Sequence, residues 1–428
     1  LAAIVAPAGT PVKKNRTLPP WTSLWYSVAS VLDFIHSGTL TSVPGFLAGA
    51  IHCGIKRTGE ADLGLLYSSA PCTAAGLFTR NRVKSSPVRV SLDHLQQPQA
   101  RAIVAHSGCA NACVGEQGMS DAVEMTRLAG AKLSVPAEQV LVAGTGVIGV
   151  PLPMDRVRAG MESVQLHRDG GHAFARAIMT TDTMPKEAAI SFYLGTARGT
   201  IAGVAKGAGM IHPDLATLLV FLATDAAVQA RFLRSVLKRA IADSFNLLSI
   251  DGDTSPSDSV FLLANGLAGN KRLNEHNGAP FEQALTELCQ HLADSIARDG
   301  EGATKVIKVV VEGASNEQQA AQAARTIVSS PLVKSAMHGN DPNWGRIVTA
   351  LGRSGAELDE TKLEVHLNDI CVMREGVPLP FDSKTASASL AREQVSITVR
   401  LHLGRAAATA RGCDLSEEYV TINSTYTT

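Results

Sequence analysis

Residues 203–225 read GVAKGAGMIHPDLATLLVFLATD. A basic residue, Lys206, sits in a glycine-rich turn and is followed by Met210-Ile-His-Pro213; Ala216 and Thr217 then open the apolar run 218–222. So short an apolar run between polar turns reads first as an ordinary buried strand. Moving outward, residues 101–105 and 140–143 read as further strands bounded by glycines, with helical spacing between them over 118–131. Residues 226–247 place Val228, Phe232, Val236, Ile241 and Phe245 on one stripe and predict a helix. Residues 280–297 and 317–328 predict two more helices, and 306–311 and 395–401 two more strands. Helices and strands of similar weight predict an α+β fold built as a layered sandwich.

Composition bounds the function. The 428 residues carry 39 basic and 39 acidic side chains, so a protein that coats nucleic acid is excluded. An apolar content of 45% at zero net charge excludes a charge-driven disordered chain. No run of 18 apolar residues occurs, so no membrane-spanning segment is expected. Seven scattered cysteines, an odd number, read as reduced thiols and predict a cytoplasmic enzyme. Residues 1–43 stand apart, with Trp21, Trp25, Lys13, Lys14 and Arg16 and no acid before Asp33. They read as a peripheral extension or an organellar transit peptide.

Three constellations invite chemistry. Gly144-Thr-Gly-Val-Ile-Gly149 follows a strand and matches the glycine turn of dinucleotide-binding folds. Pro151 and Pro153 oppose the long helix which that motif requires, whereas exposed backbone N–H groups here suit a developing oxyanion. Asp251-Gly-Asp253-Thr-Ser255 is one residue out of step with a phosphatase aspartate loop and reads as a polar turn that caps its own backbone. His106, Cys109 and Cys113 lack the further ligands that zinc needs and read as a tightly packed segment with small buried thiols.

Other motifs keep company with the 203–225 stretch: Thr183-Met-Pro-Lys186, Arg298-Asp-Gly-Glu301-Gly-Ala-Thr-Lys305 and Asp341-Pro-Asn-Trp-Gly-Arg346. Together they resemble the ornithine acetyltransferase (glutamate N-acetyltransferase) family of arginine biosynthesis, whose members cleave themselves into two chains. Cys53-Gly-Ile-Lys56, Ser107-Gly-Cys-Ala-Asn-Ala-Cys-Val-Gly115, Thr180-Thr-Asp-Thr183 and Asn423-Ser-Thr-Tyr-Thr-Thr428 extend the likeness over residues 43–428.

The resemblance implies a layered α/β/β/α sandwich like that of N-terminal-nucleophile enzymes, with a smaller α/β domain over about 300–410. It implies cleavage between Ala216 and Thr217, giving an α chain of 44–216 behind the extension and a β chain of 217–428, assembled as an α2β2 heterotetramer. Thr217 is then the nucleophile, taking acetyl from N-acetylornithine and passing it to glutamate. Its freed α-amine, with a reference pKa of about 7.7–8.0, is the adjacent base. Thr145 and Gly146 form the oxyanion hole, and Thr183, Lys206, Thr217, Glu301, Asn423 and Thr428 contact substrate. No metal or cofactor is implied; acetyl-CoA is a substrate of some members. Cys109, Val114 and Ser257 depart from the family's usual Asn, Thr and Asn, and the terminal Thr428 stands where Ser is common. The alternative is a related N-terminal-nucleophile amidohydrolase or aminopeptidase that passes the acyl group to water. A non-catalytic binding protein is the rival of another class, opposed by the intact Thr217 and Lys206 loop.

Overall fold

In the computed structural model, residues 32–212 and 218–425 are described. Ala216, Thr217 and Thr428 lie outside the described residues, as does 1–31 of the amino-terminal extension. In chain order the strands are β1 (Asp33–Phe34), β2 (Phe46–Ile51), β3 (Leu63–Phe78), β4 (Gln99–Cys109), β5 (Val140–Val147), β6 (Lys186–Leu194), β7 (Ala197–Lys206), β8 (Leu219–Thr224), β9 (Leu248–Ser249), β10 (Ser259–Ala264), β11 (Val306–Ala314), β12 (Glu364–Leu367), β13 (Ile370–Arg374), β14 (Val377–Pro378), β15 (Gln394–Arg400) and β16 (Ala406–Cys413).

The apolar run after the glycine turn becomes β8, and all six of its residues are buried. Successive side chains point to opposite faces. Val220 and Leu222 join the core formed with helices Ala230–Ala242 and Ala279–Arg298. Leu219, Phe221 and Ala223 join a second core, containing Phe46, Leu66, Ile103 and Leu141 from β2 to β5. Phe221 packs edge-on to Phe174 at 5.1 Å and stacks on Phe261 at 5.7 Å. Each such fully buried side chain contributes about 1.5–3 kcal/mol.

One nine-stranded sheet supplies both layers, in the order β1-β6-β7-β8-β10-β3-β4-β5 with β2 on β3. Strand β3 makes the fold-over: its first half pairs with β2 and β4, and Thr73–Phe78 pair with β10. The ladder slips between Tyr67 and Cys72, around Pro71, where a bulge bends the strand. Outside β4 and β5, helices Gly115–Leu133 and Met154–Ser163 bury Ala122, Met125, Val157 and Met161 against Leu63, Val104 and Val142. The result is helix, sheet, sheet, helix: the α/β/β/α order expected.

A second, seven-stranded sheet (β14-β13-β12-β15-β11-β16-β9) carries its own core under helices Glu317–Val328, Pro331–His338 and Trp344–Gly352. Asp294 of helix Ala279–Arg298 ties it to the first sheet, accepting from Lys308 at 3.2 Å and from Arg411 at 2.6 Å.

Two sequence expectations change. The helix read over 226–247 spans Ala230–Ala242, because Val228 is taken by a bridge to Leu273 and the chain after Ala242 tightens into a 3-10 turn at Phe245–Leu247. Its expected stripe is nevertheless buried throughout. Gly144 and Gly146 lie inside β5, not in a turn, and the next helix starts only at Met154. Among the described residues no helix is long and apolar enough to cross a membrane.

Candidate active site

Strand β7 ends on Lys206, and Gly207 to His212 turn away from the sheet before β8. Two carboxylates fix this turn. Asp182 accepts from Gly207 N at 2.7 Å, and Asp251 accepts from Met210 N at 2.5 Å and Ile211 N at 2.9 Å. Asp251 thus caps backbone, as its polar-turn reading expects. Lys206 is buried, and its Nζ donates to Thr180 Oγ1 at 2.8 Å and lies 3.9 Å from Asp182. Burial lowers the pKa of Lys206, against the raising effect of Asp182. Asp182 is itself held at about 2, because Lys206 and Lys186 outweigh the upward push of burial.

Lys206 opens on a cavity also lined by Thr145, Gly146, Leu218, Asp258, Glu301 and Asn423. Thr145 and Gly146 reach it from the end of β5, beside Ser107 and Gly108 of β4. Gly146 has φ +123°, and a Cβ there would sit 2.4 Å from the Gly108 carbonyl carbon, so only glycine fits. Gly108 in turn lies on the Cys53-Gly-Ile-Lys56 loop, whose four N–H groups all donate to the buried Asp62 carboxylate at 2.7–3.0 Å. Gly144 leaves room for the His106 ring, which a Cβ would meet at 2.3 Å. The three glycines read as a nucleotide turn are therefore, in the first two cases, packing positions.

Glu301 enters from the loop after helix Ala279–Arg298. Its N–H donates to Ala208 O at 2.9 Å, and its Oε2 accepts from Asn423 Nδ2 at 2.8 Å. Helix Glu417–Thr425 brings Asn423 and Tyr419 across the cavity. The structure thus gathers Thr145, Gly146, Lys206, Glu301 and Asn423 at one place, with Leu218 on the same cavity. Thr183 is not among them. It lines a neighbouring cleft, and its N–H and hydroxyl donate to Asp299. Thr180, three residues earlier, is the threonine beside Lys206, and the sequence reading missed it.

The remaining motifs take structural roles. Cys109 is buried and donates to Val150 O at 2.9 Å, whereas Cys113 is exposed. Val114 supplies no side-chain cap to helix Gly115–Leu133. Among the described residues the one group close enough to hold a metal is Glu364, His366 and Cys371, and there Arg400 already pairs with Glu364 at 2.8 Å.

The layers define the α/β/β/α class, and a cavity lies where β7, β5 and β8 converge. The ArgJ family model matches residues 47–428, and the chain belongs to the ArgJ family. It is 48% identical over 403 residues to the arginine biosynthesis bifunctional protein ArgJ of Dehalococcoides mccartyi, covering 93% of this chain and 100% of that protein. It is 49% identical over 399 residues to the protein of that name from Symbiobacterium thermophilum, covering 92% and 99%. Among solved structures, argJ of Bacillus halodurans shares 41% identity with a TM-score of 0.47, covering 49% of this chain and 98% of that one. Ornithine acetyltransferase from Mycobacterium tuberculosis, complexed with ornithine, shares 39% identity with a TM-score of 0.41, covering 43% and 100%.

Proposed function

We propose that this chain is a self-processing acetyltransferase of arginine biosynthesis, which moves acetyl from N-acetylornithine to glutamate through an acetyl-Thr217 ester. The observation that carries the reading is the convergence of Thr145, Gly146, Lys206 and Glu301 on the cavity beside Leu218, the residue that follows Thr217. Thr217 Oγ attacks the Ala216 carbonyl first, and water resolves the resulting ester. The freed α-amine then takes the hydroxyl proton in each later turnover. Thr145 and Gly146 stabilise the oxyanion, a contribution of about 2.7–4 kcal/mol per donor. Lys206 pairs with the α-carboxylate common to both amino acids, and Glu301 attracts the ornithine ammonium, with Asn423 holding that carboxylate in place. Thr183 and Thr428 complete the substrate contacts, with Thr180 held beside Lys206. The cleaved chains assemble as an α2β2 heterotetramer, and the transfer uses neither metal nor cofactor.

Denaturing electrophoresis tests the reading: the wild type gives two fragments of near-equal size, and Thr217→Ala gives one band. Processed enzyme with N-acetylornithine and glutamate then yields N-acetylglutamate. Free acetate without N-acetylglutamate would assign the chain to the amidohydrolases, and a single wild-type band would overturn the mechanism.

A second donor, acetyl-CoA, is favoured by the cleft that shares Thr180 with the active cavity. Its volume is about 1080 Å3, and Lys56, Arg57, Arg156 and Arg176 line it against two acids, Glu60 and Asp182, an excess of cations suited to phosphates. Acetyl-CoA with glutamate should give N-acetylglutamate, and Arg57→Glu with Arg176→Glu should raise the KM for acetyl-CoA at least tenfold while sparing N-acetylornithine.

A further inference from the structure

The cavity wall holds a buried carboxyl that the chemistry above leaves unused. Asp258 is 2% exposed and precedes β10, which runs parallel to β8 with Ser259 opposite Leu219. Ser259 N donates to Leu218 O at 2.9 Å, so Asp258 stands level with Leu218, one residue from the position read as the nucleophile. Among the described residues its Oδ2 has no hydrogen-bond partner, and neither has the neighbouring buried Ser257 Oγ. Both residues line the cavity. Native structures rarely leave buried polar atoms without partners, and a pair of them in a cavity wall points to a role in that cavity.

Of the other carboxyls around the cavity, Asp253 is exposed, while Asp251 and Glu301, like Asp182 in the adjoining cleft, are engaged. Asp182 serves Lys186, Gly207 and Thr180; Asp251 holds Met210 and Ile211; Glu301 receives the Asn423 amide. Burial raises the Asp258 pKa well above the usual carboxylate range, although Ser255, Lys206 and Thr79 act against it. That direction favours the protonated carboxyl, and Lys206, which lines the same cavity, stabilises the anion left when the proton departs.

We propose that Asp258 is the catalytic acid that protonates the departing nitrogen when the acyl group passes to the hydroxyl nucleophile. The proposal rests on the reading of Thr217 as that nucleophile. In the step, the Thr217 Oγ–C bond forms and the C–N bond of the acyl donor breaks. The hydroxyl proton goes to the α-amine of Thr217, and the Asp258 proton goes to the departing nitrogen, which leaves as an amine. The α-ammonium then returns one proton to the Asp258 carboxylate, restoring both groups. In self-cleavage the departing nitrogen is that of Thr217 itself and no α-amine is yet free, so the Asp258 proton goes to that nitrogen and the Thr217 hydroxyl proton replaces it on the carboxylate.

The test is Asp258→Asn assayed with two donors: N-acetylornithine, whose amine needs a proton to leave, and p-nitrophenyl acetate, whose phenolate does not. An acid role lowers transfer from the amide by about 100-fold or more and acylation by the ester at least about tenfold less. Equal losses on both donors, or amide transfer within about threefold of wild type, overturn the proposal. Where the variant stays uncleaved, Asp258→Ala is followed for self-cleavage with and without formate, which fits the vacated space. A tenfold restoration supports the acid role, and none overturns it. Mass spectrometry of acid-quenched wild type treated with the ester separates the two readings. Without an acetyl group on Thr217 the nucleophile assignment falls and Asp258 with it; acetyl-Thr217 together with equal losses sinks Asp258 alone.

Discussion

Gly146 shows how much a single residue decides at this site. Its φ of +123° and its contact with Gly108 leave no place for a side chain, so Gly146→Ala should destabilise the fold by roughly 2–4 kcal/mol in chemical denaturation. Thr145→Ala removes one hydroxyl and one methyl at the half-buried cavity wall. It should leave the denaturation midpoint nearly unchanged while kcat and the self-cleavage rate fall about 10^2–10^3-fold; a Thr145→Ala enzyme within tenfold of wild type would remove Thr145 from the oxyanion site. The sequence made Gly146 conspicuous, but as part of a nucleotide-like pattern, because glycine spacing alone does not say whether the chain is turning or packing. The threonines of Thr180-Thr-Asp-Thr183 were beyond it for another reason. All three carry the same hydroxyl, and what separates Thr180 from Thr183 is which carboxylate or lysine lies opposite: Lys206 for one, Asp299 for the other.

Elements with a regular period were legible, and those that change partners were not. Helix Glu317–Val328 falls where its apolar spacing places it, β11 extends the run read from sequence, and β15 matches its run to within one residue at each end. Strand β3 escapes any such reading, because LGLLYSSAPCTAAGLF mixes serines, glycines and Pro71, and its two halves serve different layers. The β4–β5 pair buries another feature of this kind. His106 lies fully buried on β4 against Gly144, with neither ring nitrogen hydrogen-bonded among the described residues, and burial pushes its pKa down to about 4. The folded state thus holds the ring neutral, while the unfolded chain binds a proton near pH 6.5. Between pH 6.5 and 4 the unfolded state binds more protons, so stability falls as pH falls, by on the order of 3 kcal/mol across the window, and the term is fully present above pH 6.5. Denaturation of wild type and His106→Leu at pH 7 and pH 4.5 checks this. The wild type should lose about 2–3 kcal/mol more than the variant, and equal losses would place the pH dependence elsewhere.

At the scale of the whole molecule, the sheet order says what the proposed cleavage does. Strands β8 and β10, which follow Thr217, lie between β7 and β3, which precede it, and are hydrogen-bonded to both. A cut before β8 therefore divides the chain without dividing the sheet. The sequence hints at another cause of cohesion, since residues 1–216 carry a net +5 and 217–428 a net −5. Magnitudes decide between the two. Exposed ion pairs contribute about 0–1 kcal/mol each, and at 1 M salt the screening length is only about 3 Å. Burial of Val220, Phe221, Leu222, Val260, Phe261 and Leu262 between strands of the other fragment contributes about 1.5–3 kcal/mol for each side chain, alongside two backbone ladders. The processed fragments should accordingly co-elute from a sizing column in 1 M sodium chloride as they do at low salt, and separate only at denaturant concentrations that unfold the protein. Dissociation by salt alone would make the charge split, and not the shared sheet, the force that keeps the cut enzyme whole.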